Sequence, residues 1–259
     1  MYRILLATIA ALLCLAGGAS GQDSSGVRTV GVWPARHCRA ATHAKMGDTS
    51  YVLTGSDRCV MIINVSDPAL PVKISEILMP GDISGIAVSG NYAYVAAGSS
   101  GLRILNITNP ATPLEAGFFD TPGNALGVAV FGNYAYVADD NAGLRVINIS
   151  NPSNPTEAGF YDTPGSANGV AISGSYAFMA DGGSGLRIIN LSNPVSPVET
   201  GYFDTPGTAF GIAVSGNYAY VADGSSGLRI VDIANPTNPT EIGFCDTPGD
   251  SRGVAISGQ

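Results

Sequence analysis

Apolar and polar positions in this chain alternate in short bursts, and the same bursts return at a fixed interval. Within one unit, Gly127-Val128-Ala129-Val130 is a short apolar run and Asn133 to Ala138 alternates large and small residues with period two. Leu144 to Ile149 and Thr156 to Tyr161 follow. Period-two alternation over runs of this length predicts strands, and nothing in the unit has a helical period. A Gly-Asn turn at Gly132-Asn133, an Asp- and Gly-rich hairpin from Asp139 to Gly143, a Pro-bounded turn from Asn151 to Pro155 and the loop Asp162-Thr163-Pro164-Gly165 separate the four strands. Pro presets φ at the second turn position, and Asn or Asp before it bonds its own backbone.

Asp-Thr-Pro-Gly begins at Asp120, Asp162, Asp204 and Asp246, and Gly-Leu-Arg begins at Gly101, Gly143, Gly185 and Gly227, which sets a period of 42 residues. A period in this range marks stacked units that bury their faces only against neighbours. Four strands in about 42 residues is the size of a propeller blade. The predicted fold is therefore all-β, a β-propeller of four-stranded blades over 22–259, with units at about 41–78, 84–120, 126–162, 168–204 and 210–246. Residues 27–33 read as a lone outer strand, with Gly31 in the place of Gly117, and 252–258 begin a further unit. The count of five blades plus flanking strands predicts a propeller that is incomplete, cut from a parent of six to eight blades. Open blade edges would then favour self-association.

Antiparallel strands alternate direction, so the Asp-Thr-Pro-Gly loop and the Asp139-type hairpin are expected at one end of each blade. The Gly-Asn and Asn-Pro turns belong at the other. Strand one, rich in Gly, Ala and Val, is expected nearest the axis and strand four outermost. Tyr92/Tyr94, Tyr134/Tyr136, Tyr176/Phe178 and Tyr218/Tyr220 share a face by their spacing. Packing between blades is their expected use, with a sugar-stacking platform as the alternative.

Tyr218-Ala-Tyr-Val-Ala-Asp223 followed by Gly227-Leu-Arg-Ile-Val-Asp232 resembles the LVIVD-repeat family of exported bacterial and archaeal proteins. The resemblance spans nearly all of 27–259. It implies a β-propeller on a secreted or surface protein and carries over no catalytic residue. Arg replaces the second motif position in four units, and Asn64, Asn106, Asn148 and Asn190 stand where the motif has Asp. The first unit departs most, with Cys59 and Met61 where Gly and Arg recur.

The N-terminus changes the compartment. Arg3, an apolar run from Ile4 to about Ala16 and small residues to Gly21 have the form of a secretory signal peptide over 1–21. The run is shorter than the ~20 apolar residues a bilayer span needs, so an extracytoplasmic protein, secreted, periplasmic or on the cell surface, is expected. Removing that segment takes away Arg3 and moves the net charge from −8 to −9. So acidic a chain is a poor polyanion ligand, and nucleic acid is not an expected partner.

Candidate chemistry is sparse. Asp139, Asp181 and Asp223 lie six positions before Arg145, Arg187 and Arg229, across one hairpin. A structural salt bridge or turn-stabilising bond is expected there, with Arg103, Arg145, Arg187 and Arg229 as structural residues. The alternative is a binding face, a ring of Asp120, Asp139, Asp162, Asp181, Asp204, Asp223 and Asp246 that gathers Ca²⁺ or a cationic ligand. Glu115, Glu157, Glu199 and Glu241 recur on the outer strand, where charge blunts a sheet edge. The exceptions to the repeat gather early, at His37, Cys38, His43 and Cys59, without metal-ligand spacing. A Cys38–Cys59 disulfide is expected in an oxidising compartment, and Cys245 is left over. The sequons at Asn64, Asn106, Asn148 and Asn190 are expected to act as strand-end acceptors rather than glycan sites, because Asp232 takes the same place in the fifth unit. Two function classes follow: a non-enzymatic scaffold binding a protein, glycan or surface partner through its Asp-bearing face, or an exported propeller enzyme of lyase, lactonase or oxidoreductase type with active residues in irregular loops or further blades.

Overall fold

The computed structural model describes residues 38–256. The predicted signal segment, the lone strand at 27–33 and His37 lie outside these residues. Among the described residues there are twenty strands in five four-stranded antiparallel sheets, and no helix. Blade 1 holds β1 (Cys38–Met46), β2 (Thr49–Ser56), β3 (Cys59–Asn64) and β4 (Val72–Leu78). Blade 2 holds β5 (Gly85–Ser89), β6 (Tyr92–Ala96), β7 (Leu102–Asn106) and β8 (Leu114–Phe119). Blade 3 holds β9 (Gly127–Phe131), β10 (Tyr134–Ala138), β11 (Leu144–Asn148) and β12 (Thr156–Tyr161). Blade 4 holds β13 (Gly169–Ser173), β14 (Tyr176–Ala180), β15 (Leu186–Asn190) and β16 (Val198–Phe203). Blade 5 holds β17 (Gly211–Ser215), β18 (Tyr218–Ala222), β19 (Leu228–Asp232) and β20 (Thr240–Cys245). In each sheet the strands lie in chain order.

The first strand of each blade packs on the first strand of the next, from β1 through β17, so these strands lie innermost in an open, propeller-like arrangement. Close approach there explains the small residues: a Cβ on Gly85 would lie 3.1 Å from the Cα of Gly127, and one on Gly127 would lie 3.1 Å from the Cα of Gly169. Two side chains do not fit between backbones that close.

The core lies between the blades rather than within them. Tyr94, Ala96, Leu102 and Ile104 of blade 2 meet Ala135, Val137, Ile147 and Ile149 of blade 3 across Ala125. The next two junctions repeat this arrangement, with Tyr136 and Phe178 in the place of Tyr94. Tyr94, Tyr136 and Phe178 are buried, so the strand-two aromatics of these blades pack between sheets, as the alternation predicts. Each fourth strand carries one extra residue, such as Ala116 opposite the Ile104/Leu105 step, and this bulge bends an edge that would otherwise invite pairing.

The expected Cys38–Cys59 disulfide is not formed. Cys38 pairs with Ser56, and Ser56 pairs with Cys59, so β2 runs between the two cysteines. Two strand spacings amount to about 10 Å, beyond the ~7 Å a disulfide spans without backbone movement. Cys245 is an exposed free thiol at the end of β20.

Candidate functional site: the Asp-Thr-Pro-Gly face

The loop that ends one blade reaches back over the hairpin of the next. The Asp139 carboxylate is fully buried and accepts the Thr121 hydroxyl at 2.5 Å and the Gly123 N–H at 2.8 Å. Asp181 accepts from Thr163 and Gly165, and Asp223 from Thr205 and Gly207, at the same distances. The two carboxylate oxygens therefore fasten the loops after blades 2, 3 and 4 onto the hairpins that follow them. Backbone bonds between Asp140 and Ala167, and between Gly182 and Ala209, close the same junctions from the other side.

The arginines point elsewhere. Arg145 donates through Nη2 to Asp162 at 2.8 Å, lies 3.5 Å through Nη1 from Glu157, and stacks 4.5 Å above the centroid of Phe160. Arg103, Arg187 and Arg229 repeat the arrangement on Phe118, Tyr202 and Phe244. The six-residue spacing across the hairpin thus brings Asp and Arg near each other but not into a close pair: Arg187 and Arg229 hold their Nε atoms 4.0 and 3.9 Å from Asp181 and Asp223. The turn-stabilising bond is made by Thr and Gly instead. Planar guanidinium suits this role, since it stacks on a ring and forks to two carboxylates at once.

The seven aspartates do not form one ring. Asp139, Asp181 and Asp223 turn inward and are consumed in the clamp, whereas the side chains of Asp120, Asp162, Asp204 and Asp246 remain 62–71% exposed. Among the described residues no group of three or more His, Cys, Asp or Glu is placed to hold a metal ion. His43 is exposed on β1. Asn148 Oδ1 accepts from the Ser150 N–H at 2.9 Å, Asn190 Oδ1 from the Ser192 N–H at 2.8 Å and Asp232 Oδ1 from the Ala234 N–H at 2.8 Å, the strand-end acceptor geometry expected of these positions.

Sequence reasoning missed the threonines. The signal was present, because the two partners vanish together at the first junction: Met79 stands in the place of Thr121, and Ala97 in the place of Asp139. Both are buried, at 2% and 0% exposure. There Arg103 Nε donates to the Ser100 carbonyl at 3.0 Å, a bond that Arg145, Arg187 and Arg229 do not make.

Four consecutive segments, residues 80–121, 122–163, 164–205 and 206–247, match the LVIVD repeat. The chain belongs to the LVIVD repeat family. Each matched LVIVD segment runs from the proline of one loop to the threonine of the next, so its two ends are the parts clamped to neighbouring blades. Among curated proteins none matches the chain in sequence. Two solved structures resemble it in fold. A functionally unknown protein from Desulfotomaculum acetoxidans DSM 771 aligns with a TM-score of 0.70 at 14% identity, over 85% of this chain and 74% of that one. The computationally designed Ika8 protein aligns with a TM-score of 0.64 at 10% identity, over 86% of this chain and 66% of that one. At these identities the likeness speaks for the fold.

Burial pushes the carboxyl pKa of Asp139 and Asp181 above the ordinary range, against the opposing pull of the Thr and Gly bonds and of Arg145 and Arg187. The folded chain therefore holds these protons more tightly than the unfolded chain. Their contribution to stability is full below about pH 4, the unfolded value, and is lost as pH rises through the raised folded value. A Thr121→Met/Asp139→Ala/Thr163→Met/Asp181→Ala variant lacks this dependence. Its Tm should improve relative to the parent chain between pH 4 and pH 7, and parallel Tm curves would refute the assignment.

Proposed function

We propose that this chain works outside the cytoplasm as a non-enzymatic repeat scaffold whose Asp-Thr-Pro-Gly face binds a protein or glycan at the cell surface. The observation that carries this reading is the division of the carboxylates. Each hairpin Asp is spent inside the blade junction, while Asp120, Asp162, Asp204 and Asp246 are presented to solvent at equivalent corners of successive blades. Each is held by an arginine anchored on an aromatic ring. A row of fixed, equivalent acceptors suits a partner that repeats cationic or hydroxyl groups, because each added contact then acts at high effective concentration. The extracytoplasmic setting rests on the signal-like segment at 1–21. Replacing Asp120, Asp162 and Asp204 together by Asn should weaken binding of the purified protein to intact cells or to a glycan array at least tenfold, with its circular dichroism unchanged. Binding that survives the triple substitution would place the site on another surface, and turnover of a lactone or uronate substrate would overturn the non-enzymatic reading.

A further inference from the structure

Blades 2 to 5 are close copies, so the places where they differ carry information that the shared places do not. Only three places in the 42-residue unit hold a different residue in every one of these blades. One is the tip of the Asn-Pro turn, Ala111, Ser153, Val195 and Thr237, where full exposure leaves the side chain free to change. The other two follow the loop that arrives from the preceding blade. They are Asp82, Asn124, Ser166 and Thr208, and, two residues further on, Ser84, Leu126, Asn168 and Phe210.

The last of these sets lies at the axis. Its four N–H groups donate to Ala96, Ala138, Ala180 and Ala222 at 2.8–3.0 Å, so the backbone is the same in each blade while the side chain runs from hydroxyl through aliphatic and amide to aromatic. Each member directly precedes an innermost strand. The carbonyls of Leu126, Asn168 and Phe210 lie 3.0–3.1 Å from a Cβ built on Gly85, Gly127 and Gly169 of the blade before, which sets the three residues side by side, half-buried, around the mouth of the axis. Packing holds the next residue to glycine in all four blades and leaves this one to vary in chemistry. A varied position on a rigid, repeated backbone is where a scaffold sets its specificity. The hairpin beside the mouth also breaks the repeat. Asp140 takes a left-handed backbone, φ +50°, where Gly98, Gly182 and Gly224 stand at +55° to +57°, and its carboxylate accepts Asn124 Nδ2 at 3.2 Å. A side chain kept in a conformation that favours glycine points to a use for that side chain. Asn168 donates through Nδ2 to the Ala209 carbonyl at 2.9 Å, which fixes its amide and leaves Oδ1 and the second amide hydrogen for a ligand.

We infer that this mouth binds a neutral or amino sugar, with Asn124, Asp140 and Asn168 bonding its hydroxyls and Leu126 and Phe210 receiving its apolar face. The inference rests on the reading of the Asp-Thr-Pro-Gly face as the binding face and names its ligand. Planar amide and carboxylate groups match the adjacent hydroxyls of a sugar ring, and the C–H face of that ring needs apolar surface beside them. Charge selects against an acidic ligand. Blades 2 to 5 place no Lys or Arg at these positions, and Asp140 together with the outer row of Asp120, Asp162 and Asp204 makes the face negative, which disfavours phosphate, sulfate or uronate. Arg252, 5.0 Å above the Phe210 centroid, is paired with Asp250 at 3.7 Å and adds no net positive charge. Size favours a sugar over a protein, because three neighbouring loop positions span one or two rings, far less than the ~800 Å² per partner of a stable protein interface.

The test is a glycan array of neutral, amino and acidic oligosaccharides probed with the labelled full-length protein, followed by titration of the tightest-binding sugar. Binding to neutral or amino sugars is expected, weakened at least tenfold by Leu126→Ser/Asp140→Gly/Asn168→Ser/Phe210→Ser. Each substitution writes the residue of blade 2, Ser84 or Gly98, into the same backbone place, so circular dichroism and Tm should stay with the parent. Should the combined variant unfold, Asn168→Ser alone carries the test with the same direction expected. Ser153→Ala/Thr237→Ala, at the variable turn tip, should leave binding unchanged. No binding on the array, binding confined to acidic sugars, or binding indifferent to the mouth substitutions overturns the inference. Cell binding that is lost on replacing Asp120, Asp162 and Asp204 by Asn but kept in the mouth variant also overturns it, and leaves the outer aspartates standing as the contact. Array binding with the opposite dependence supports the mouth and removes the outer aspartates from the contact.

Discussion

Asp139→Ala is expected to destabilise the fold by about 3 kcal/mol, and adding Thr121→Met to it is expected to restore most of the loss. The single substitution strands three groups at once. The Thr121 hydroxyl loses its acceptor in a buried site and the Gly123 N–H loses its acceptor in a half-buried one, and a buried orphaned group costs roughly 1–3 kcal/mol. Arg145, 9% exposed and with its Nε already without a bond, also loses the nearby opposite charge. The double substitution writes the first junction into the second. Met79 and Ala97 already occupy these places between blades 1 and 2 and join an apolar cluster there, and Arg103 shows where the freed Nε turns, to the carbonyl two residues before its own Leu. Replacing both members of a buried polar pair by shape-matched apolar groups is near neutral, whereas removing one is not. Chemical denaturation of the parent chain, Asp139→Ala and the double variant measures the cycle. Equal losses in the two variants would show that the Thr–Asp clamp is not the unit that matters.

That clamp also shows where reading the chain stops short. Blade length, strand order, the inner glycine strand and the loops that share an end all follow from local alternation and turn chemistry, which depend on neighbours in sequence, and these expectations agree with the structure. The partners of Arg145 depend on one residue that no pattern announces. Counting back from the Asn148–Thr156 pair without a bulge would set Arg145 opposite Gly159, but the extra residue Ala158 moves it opposite Phe160. The guanidinium consequently lies over the ring and reaches Asp162 and Glu157. Spacing along the hairpin pointed to Asp139 instead, because it measures distance along the chain and not across a bulged ladder. The cysteines failed for a related reason: sharing one end of a blade says nothing about whether a strand lies between them.

Gly143→Ala should cost about 3–5 kcal/mol, against about 1 kcal/mol for Gly132→Ala, although the two glycines have similar backbone conformations, φ +70° and +59°. Both substitutions carry the penalty of a left-handed L-residue. Only Gly143 adds a collision. Its Cβ would stand 2.4 Å from the Tyr161 carbonyl oxygen and 2.5 Å from the Thr163 nitrogen, whereas nothing lies within 4 Å of a Cβ on Gly132. The colliding atoms are backbone, so no rotamer change relieves them, and the end of β12 has to move. That movement acts on both sides of the junction. Asp162 would pull away from Arg145 within blade 3, and Thr163 from Asp181 in blade 4. A defect at a hairpin glycine therefore spreads to the next blade, as expected where each unit is stabilised by its neighbour. Hydrogen exchange on the Gly143→Ala chain should show lost protection in β12 and in the Asp181 hairpin together. Loss confined to blade 3 would mean that the clamp transmits nothing and that the blades open independently.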